Sequence, residues 1–226
     1  MGLILNELSI GIIGGTGKEG FGLATRWVKS GFSVIIGSRS FEKAIQAAEK
    51  VRGVYPGAKV NGNTNEQTAE ISDIIVLTIP YTSHTEILNK LKPYIKEKLV
   101  IDVTVPLVPP RVSVVQMPPD GSAAQEALQI LGPTANLAAA FHNISSLNLT
   151  SDSNSADCDV LVTGTSSDAR SQTLTLVKDA GFIGWDAGPI ENSVVLEGLT
   201  SVLIWINKKY GSNHAGIRIT GVNKPI

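Results

Sequence analysis

The chain has one cysteine in 226 residues, no basic run and no long apolar run. Each shortage removes a class of protein. A lone Cys158 cannot build a disulfide framework, and a chain of this length buries enough apolar surface to need none. Cys158 stands beside Val160, Leu161 and Val162, so it reads as a core residue in a reducing compartment rather than a nucleophile. With 19 Lys and Arg against 20 Asp and Glu, the formal net charge is −1, which argues against nucleic acid as the main partner. No apolar stretch reaches the length of a membrane span, and the N-terminus lacks the charged start and apolar core of a secretion signal. Met1-Gly2 resembles the start of a myristoylation signal, but position 6 is Asn rather than Ser or Thr. The chain is expected to be cytoplasmic and soluble. No repeat or low-complexity tract interrupts it, and its length suits one α/β domain or a standard domain with a small appendage.

What is present is glycine in an informative setting. Gly15-Thr16-Gly17-Lys18-Glu19-Gly20 follows a short apolar run at 8–13 and precedes Phe21, Leu23, Ala24, Trp27 and Val28 at helical spacing. Gly31 stands where a helix C-terminal glycine belongs, and a second apolar run at 33–36 completes a βαβ unit. In a dinucleotide loop, glycines let the chain turn sharply, approach a pyrophosphate and pack the following helix on the sheet. The helix start then offers free N–H groups and positive potential to the phosphates. Gly15, Thr16, Gly17, Lys18 and Glu19 are therefore the expected loop. A glycine turn of purely structural purpose is the competing reading.

A missing carboxylate then selects between cofactors. An Asp or Glu at the end of the second strand binds both ribose hydroxyls of NAD and repels a 2′-phosphate. Here that position holds Gly37, Ser38 and Arg39, with Lys43 four residues beyond Arg39. A hydroxyl and two cations could converge on one phosphate, which points to NADP. The plainer alternative is a solvated helix face.

Strand-length apolar runs alternate with helical patterns to about residue 140, the order that forces a parallel sheet covered on both faces. Further strands are expected at 59–61, 73–80, 99–102 and 136–140. Helices are expected at 44–51, broken at Gly53, and at 84–91 and 122–131, with a turn or two at 64–72. Five of the eleven prolines fall at positions 106, 109, 110, 118 and 119, which rules out helix or central strand between 104 and 121. That loop reads either as a wall over the reacting groups or as a rigid surface connection. Beyond it come strands at 159–162 and 183–186, a helix at 168–180 ended by Gly181, and an amphipathic helix at 192–210 whose stripe could cover the sheet or a partner subunit. Residues 145–156, rich in Ser, Asn and Asp, read as an exposed connection. The expected fold is α/β, a Rossmann-type doubly wound, mostly parallel sheet. Residues 1–142 form its NADP-binding domain, and 143–226 a small C-terminal extension completing the sheet and the substrate cleft.

Five landmarks are shared with a known family: Gly14-Gly15-Thr16-Gly17, Gly37-Ser38-Arg39, Leu77-Thr78-Ile79-Pro80, Pro106-Leu107-Val108-Pro109 and Asp186-Ala187-Gly188-Pro189. Together they resemble the NADPH-dependent F420 reductases, the F420H2:NADP oxidoreductases, over nearly the whole chain. The resemblance implies an often dimeric Rossmann-type enzyme that moves a hydride between nicotinamide C4 and C5 of the deazaflavin F420. By position it implies Thr16, Gly17, Lys18 and Glu19 at the pyrophosphate, Ser38, Arg39 and Lys43 at the 2′-phosphate, and Ile79, Ile144 and Ser146 beside the nicotinamide. Ala215 falls where the family contacts the deazaflavin. Two departures stand out: Ser145-Ser146 replaces a Pro-Ala common in archaeal members, and the Pro109-Pro110 loop differs beyond its first residues.

Hydride transfer between two bound rings rests on proximity and electrostatics, so no catalytic acid or base and no metal ligand is assigned. His142, just past a strand end, reads either as a substrate contact or as hydrogen-bonded structure. Asp102 reads as a loop cap. The expected partners are a small-molecule redox co-substrate and a second copy of the chain. A carbonyl reductase would need a proton donor and a large helical substrate domain, for which the roughly 80 residues after position 140 are too few. An NADPH-dependent flavin or ferric-type reductase module and a non-enzymatic NADP(H)-sensing module remain as alternatives.

Overall fold

The computed structural model describes residues 7–150 and 158–222. Strand β1 (Ser9–Ile13) turns into helix α1 (Lys18–Lys29), which returns as β2 (Ser33–Ser38). From Ile10 onward β1 is buried on both faces, as a central strand between two helical layers must be. Ile10 and Ile12 enter one core and Ile13 the other. In β4 (Ile74–Leu77) Ile74 and Val76 go one way, Ile75 and Leu77 the other. Helix α1 stops where Gly31 takes φ +90°. There the N–H of Gly31 donates to Val28 O and that of Phe32 to Trp27 O, closing the last turn.

The remaining elements are α2 (Phe41–Val54), β3 (Val60–Thr64), α3 (Asn65–Ile71), α4 (His84–Leu91), β5 (Leu99–Asp102), α5 (Ala123–Leu131) and β6 (Leu137–Ala139). They are followed by α6 (Ser146–Thr150), β7 (Asp159–Gly164), α7 (Ser167–Asp179), β8 (Ile183–Pro189) and α8 (Ser193–Tyr210). The strands form one eight-stranded sheet in the order β3-β2-β1-β4-β5-β6-β7-β8. β1 to β6 are parallel, in Rossmann order; β7 pairs antiparallel with β6 and parallel with β8. The order reverses between β1 and β4, and a crevice opens at that switch point beyond the strand ends.

Two expectations change. Helix α2 continues through Gly53, because that residue sits in open space and Tyr55 N–H still closes the last turn on Val51 O. The stretch at 145–156 is not simply a connection. It carries α6, whose Leu149 is buried on α1 where Gly22 has no side chain; a Cβ there would lie 2.5 Å from Leu149 Cβ. Positions 151–156 lie outside the described residues. Arg26 of α1, itself buried, secures this junction. Its guanidinium donates to Leu149 O at 2.9 Å, to Ala180 O at 2.8 Å and to Asn148 O, and lies 4.7 Å from the Phe182 ring centroid.

Candidate functional site

The chain leaves β1 through Gly14, at φ +76°, a conformation that glycine adopts without strain. Gly15 N–H donates to Gly37 O at 2.9 Å, fastening the loop to the end of β2, and Gly14 N–H donates to Asn65 Oδ1 at 3.2 Å. Gly20 brings α1 onto the sheet: a Cβ there would lie 2.4 Å from Thr78 Oγ1 and 2.7 Å from Gly15 Cα. The N-cap of α1 is Gly17, which has no side chain to cap the helix. The first N–H groups of the helix therefore face the crevice.

A cavity of about 650 Å³ occupies this crevice. Thr16, Gly17, Lys18 and Glu19 line it from the loop, and Ser38, Arg39 and Lys43 from the end of β2 and the start of α2. Ser38 is buried, whereas Arg39 and Lys43 are exposed. A lysine in the first turn of a helix opposes the helix dipole, so Lys43 suits a bound anion better than an empty surface. Glu19 is the one acidic residue among the described lining residues. Burial pushes its carboxyl up to about 8. It nevertheless keeps part of its surface open, and the helix start favours its charged form.

The other half of the cavity is less charged. Thr78 to Ser83 line it after β4, and Val103, Thr104, Val105, Leu107 and Pro109 after β5. His142 and Ile144 follow β6, and Thr200 reaches in from α8. The proline-rich loop is thus a wall of this cavity. Phe141, just before His142, is a non-glycine residue at φ +69°, held by edge-to-face contacts with Trp27 and Phe182. Thr200 Oγ1 donates to His142 O at 2.7 Å. Both ring nitrogens of His142 are buried without a well-formed hydrogen bond among the described residues, although the Asp102 backbone lies near the ring. Desolvation lowers its pKa to about 4, against a weaker opposing pull from Asp102.

Ten of the expected site residues therefore line one cavity: Thr16, Gly17, Lys18, Glu19, Ser38, Arg39, Lys43, Ile79, His142 and Ile144. Gly15 lies behind the wall. Ser146 begins α6 and is absent from this lining, as is Ala215, whose N–H donates to Oδ1 of Asn207 on α8 at 3.0 Å. Sequence reasoning missed Asn65, Thr78 and Thr200. Thr78 carried a usable signal, a polar residue directly after a buried strand.

Polar groups also lie beneath the cavity floor. His84 Nε2 is 2.7 Å from Asp102 Oδ2, with both side chains fully buried. Burial opposes charge on either group, but their mutual attraction leaves His84 raised and Asp102 lowered. The buried Nδ1 of His84 has no acceptor among the described residues, so of the two neutral tautomers the one with the proton on Nε2 fits, and Nε2 donates to Asp102 both in it and in the imidazolium. Glu197 of α8 accepts from Ala123 N–H at 2.7 Å and Ala124 N–H at 3.1 Å, and burial pushes it up to about 8. Among the described residues no group of three or more His, Cys, Asp or Glu side chains could hold a metal ion.

The family described as coenzyme F420-dependent NADP oxidoreductase matches residues 9–106. The F420-dependent NADP reductase of Methanocaldococcus jannaschii is 35% identical over 223 residues, covering 95% of this chain and 99% of that one. Its namesake from Methanothermobacter marburgensis is 39% identical with the same coverage. A crystal structure from Arthrobacter sp. FB24, described as an F420-dependent NADP-reductase, shares the fold with a TM-score of 0.78 at 21% identity, covering 95% of this chain and all of that one.

His142 gives a test of the site's polarity. The folded chain takes up this proton only near pH 4, against 6.5 for the ordinary imidazole. Stability is thus unaffected by this group above about pH 6.5 and falls as pH drops from there toward 4. Nitrogen-detected NMR should find the ring neutral at about pH 5.5, and His142→Gln should remove this part of the acid sensitivity. A ring that titrates near 6.5 in the folded protein would contradict the assignment.

Proposed function

We propose that this chain, which belongs to the family of F420-dependent NADP reductases, transfers a hydride between NADP(H) and coenzyme F420. The observation that carries the reading is one continuous cavity with cations and a helix start at one end and a sparsely charged, partly apolar wall at the other. The donor set fits NADP: no carboxylate stands at the end of β2, and a buried hydroxyl and two exposed cations do. We assign the pyrophosphate to Thr16, Gly17, Lys18 and Glu19, with Gly15 behind them shaping the loop, and the 2′-phosphate to Ser38, Arg39 and Lys43. NADP(H) and F420 supply the redox chemistry, nicotinamide C4 exchanging hydride with deazaflavin C5.

The protein's part is to hold the two rings together and keep water out. Ile79 and Ile144 are read as the apolar surface beside the nicotinamide. His142, neutral at physiological pH, can donate one N–H to a ring carbonyl without bringing charge to the site. On family position Ser146 stays assigned beside the nicotinamide and Ala215 to the deazaflavin, which puts F420 toward the segment after α8 in this reading. No side chain is required to give or take the hydride.

The exposed Val195, Val202 and Trp205 of α8 support a homodimer, since they recur on one helical face. The lone buried Cys158 suits the cytoplasm, and no described helix is long and apolar enough to cross a membrane. Native protein in a cytosolic extract should migrate at about twice the 23.9 kDa chain mass; a single-chain mass, or recovery with membranes, would count against this pair of assignments.

Two measurements test the activity itself. Pure protein mixed with NADPH should bleach oxidised F420 and leave FMN and FAD unreduced. Turnover with flavin alone would favour a flavin-type reductase, and tight NADPH binding without turnover a sensor. Arg39→Ala should weaken NADPH by about 1.5–3 kcal/mol and leave NADH nearly unchanged. Equal losses for both cofactors would refute the 2′-phosphate role.

A further inference from the structure

The loop and its cations occupy the β1 and β2 ends of the crevice. A dinucleotide that spans the switch point therefore lays its reacting ring over the ends of β4, β5 and β6. Two segments wall that half, one after β4 and one after β5. A buried side-chain bond joins their roots. His84 opens α4 directly behind the first wall, Asp102 ends β5 directly before the second, and the imidazole and carboxylate meet at 2.7 Å with neither exposed. Asp102 Oδ1 also accepts from Thr104 N–H at 2.9 Å, so the same carboxylate fixes the course of the second wall. On the first wall the Tyr81 ring stacks over His84, with centroids 6.3 Å apart and planes 30° apart.

Such a pair is poorly explained as a stability device, because well-packed apolar residues of the same size would serve as well or better. Its geometry explains it as a spacer. We propose that His84 and Asp102 are positioning residues for hydride transfer, setting the distance between the two walls that clasp the nicotinamide without touching it. The inference rests on the NADP-dependent hydride transfer proposed above. A displacement of about 1 Å in reacting groups can cost on the order of 100-fold in rate, whereas cofactor affinity comes mainly from the loop and Arg39 at the far end.

The test uses the full chain with His84→Leu, which removes the bond, and His84→Gln, whose amide N–H can replace Nε2–H. NADPH affinity, the single-turnover rate of F420 reduction, and the time-resolved fluorescence anisotropy of the bound dihydronicotinamide are measured for each. His84→Leu should keep NADPH affinity within about threefold, lose roughly 10- to 100-fold in rate, and show a more mobile nicotinamide; His84→Gln should recover most of both losses. Wild-type rate and anisotropy in His84→Leu would overturn the proposal, as would a parallel loss of affinity and rate, which marks a merely structural role. If His84→Leu does not fold, the double variant His84→Leu/Asp102→Leu, which removes the bond and leaves no unpaired buried charge, decides by the same split between affinity and rate. Anisotropy needs no acceptor, so it judges this inference even if the wild-type protein failed to reduce F420.

Discussion

Helix α1 lies against the sheet with no side chain between them at Gly20, where a Cβ would collide with Thr78 Oγ1 and with the backbone of Gly15. That closeness sets the rest of the site. It puts the uncapped helix start at the mouth of the crevice, brings Gly15 within reach of Gly37 O, and holds the end of β2 beside the loop. Ser38 and Arg39 are therefore delivered to the cavity by the same contact that delivers the helix dipole. A larger residue at position 20 would shift the helix and every group that depends on it.

The cavity is electrically lopsided, and the lopsidedness divides the work. At the loop end, Lys18, Arg39 and Lys43 line the cavity and suit an anionic group. At the other end the protein withholds charge from the open wall. The His142 imidazole is kept neutral by burial, while Asp102 and Glu197 are buried and absent from the lining. A hydride carries a pair of electrons, so a fixed charge beside its path would favour one redox state of the rings over the other. A weakly charged wall adds no such bias between the bound rings.

Local features were readable from the sequence because their causes are local. The loop, the βαβ unit and the missing carboxylate span about 30 residues, and the bounds expected for α4 and β5 coincide with those observed. Features that depend on distant neighbours were not readable. Leu149 becomes a core residue only because Gly22 faces it, so a polar-looking stretch hides α6. The antiparallel entry of β7 leaves no mark in its apolar run. His84 resembles any polar residue at a helix start until the β4–β5 register brings Asp102 beneath it. The positive φ of Phe141 is invisible without the aromatic rings on either side.

Arg26 has a consequence for how the protein comes into being. The carbonyls that its guanidinium binds belong to residues 148, 149 and 180, more than 120 positions away along the chain. A protein is synthesised from its N-terminus, so the helix that opens the cofactor crevice is made early but lacks these partners until four-fifths of the chain has left the ribosome. The first βαβ unit, complete in sequence after some forty residues, is finished as a structure only by residues 148–180.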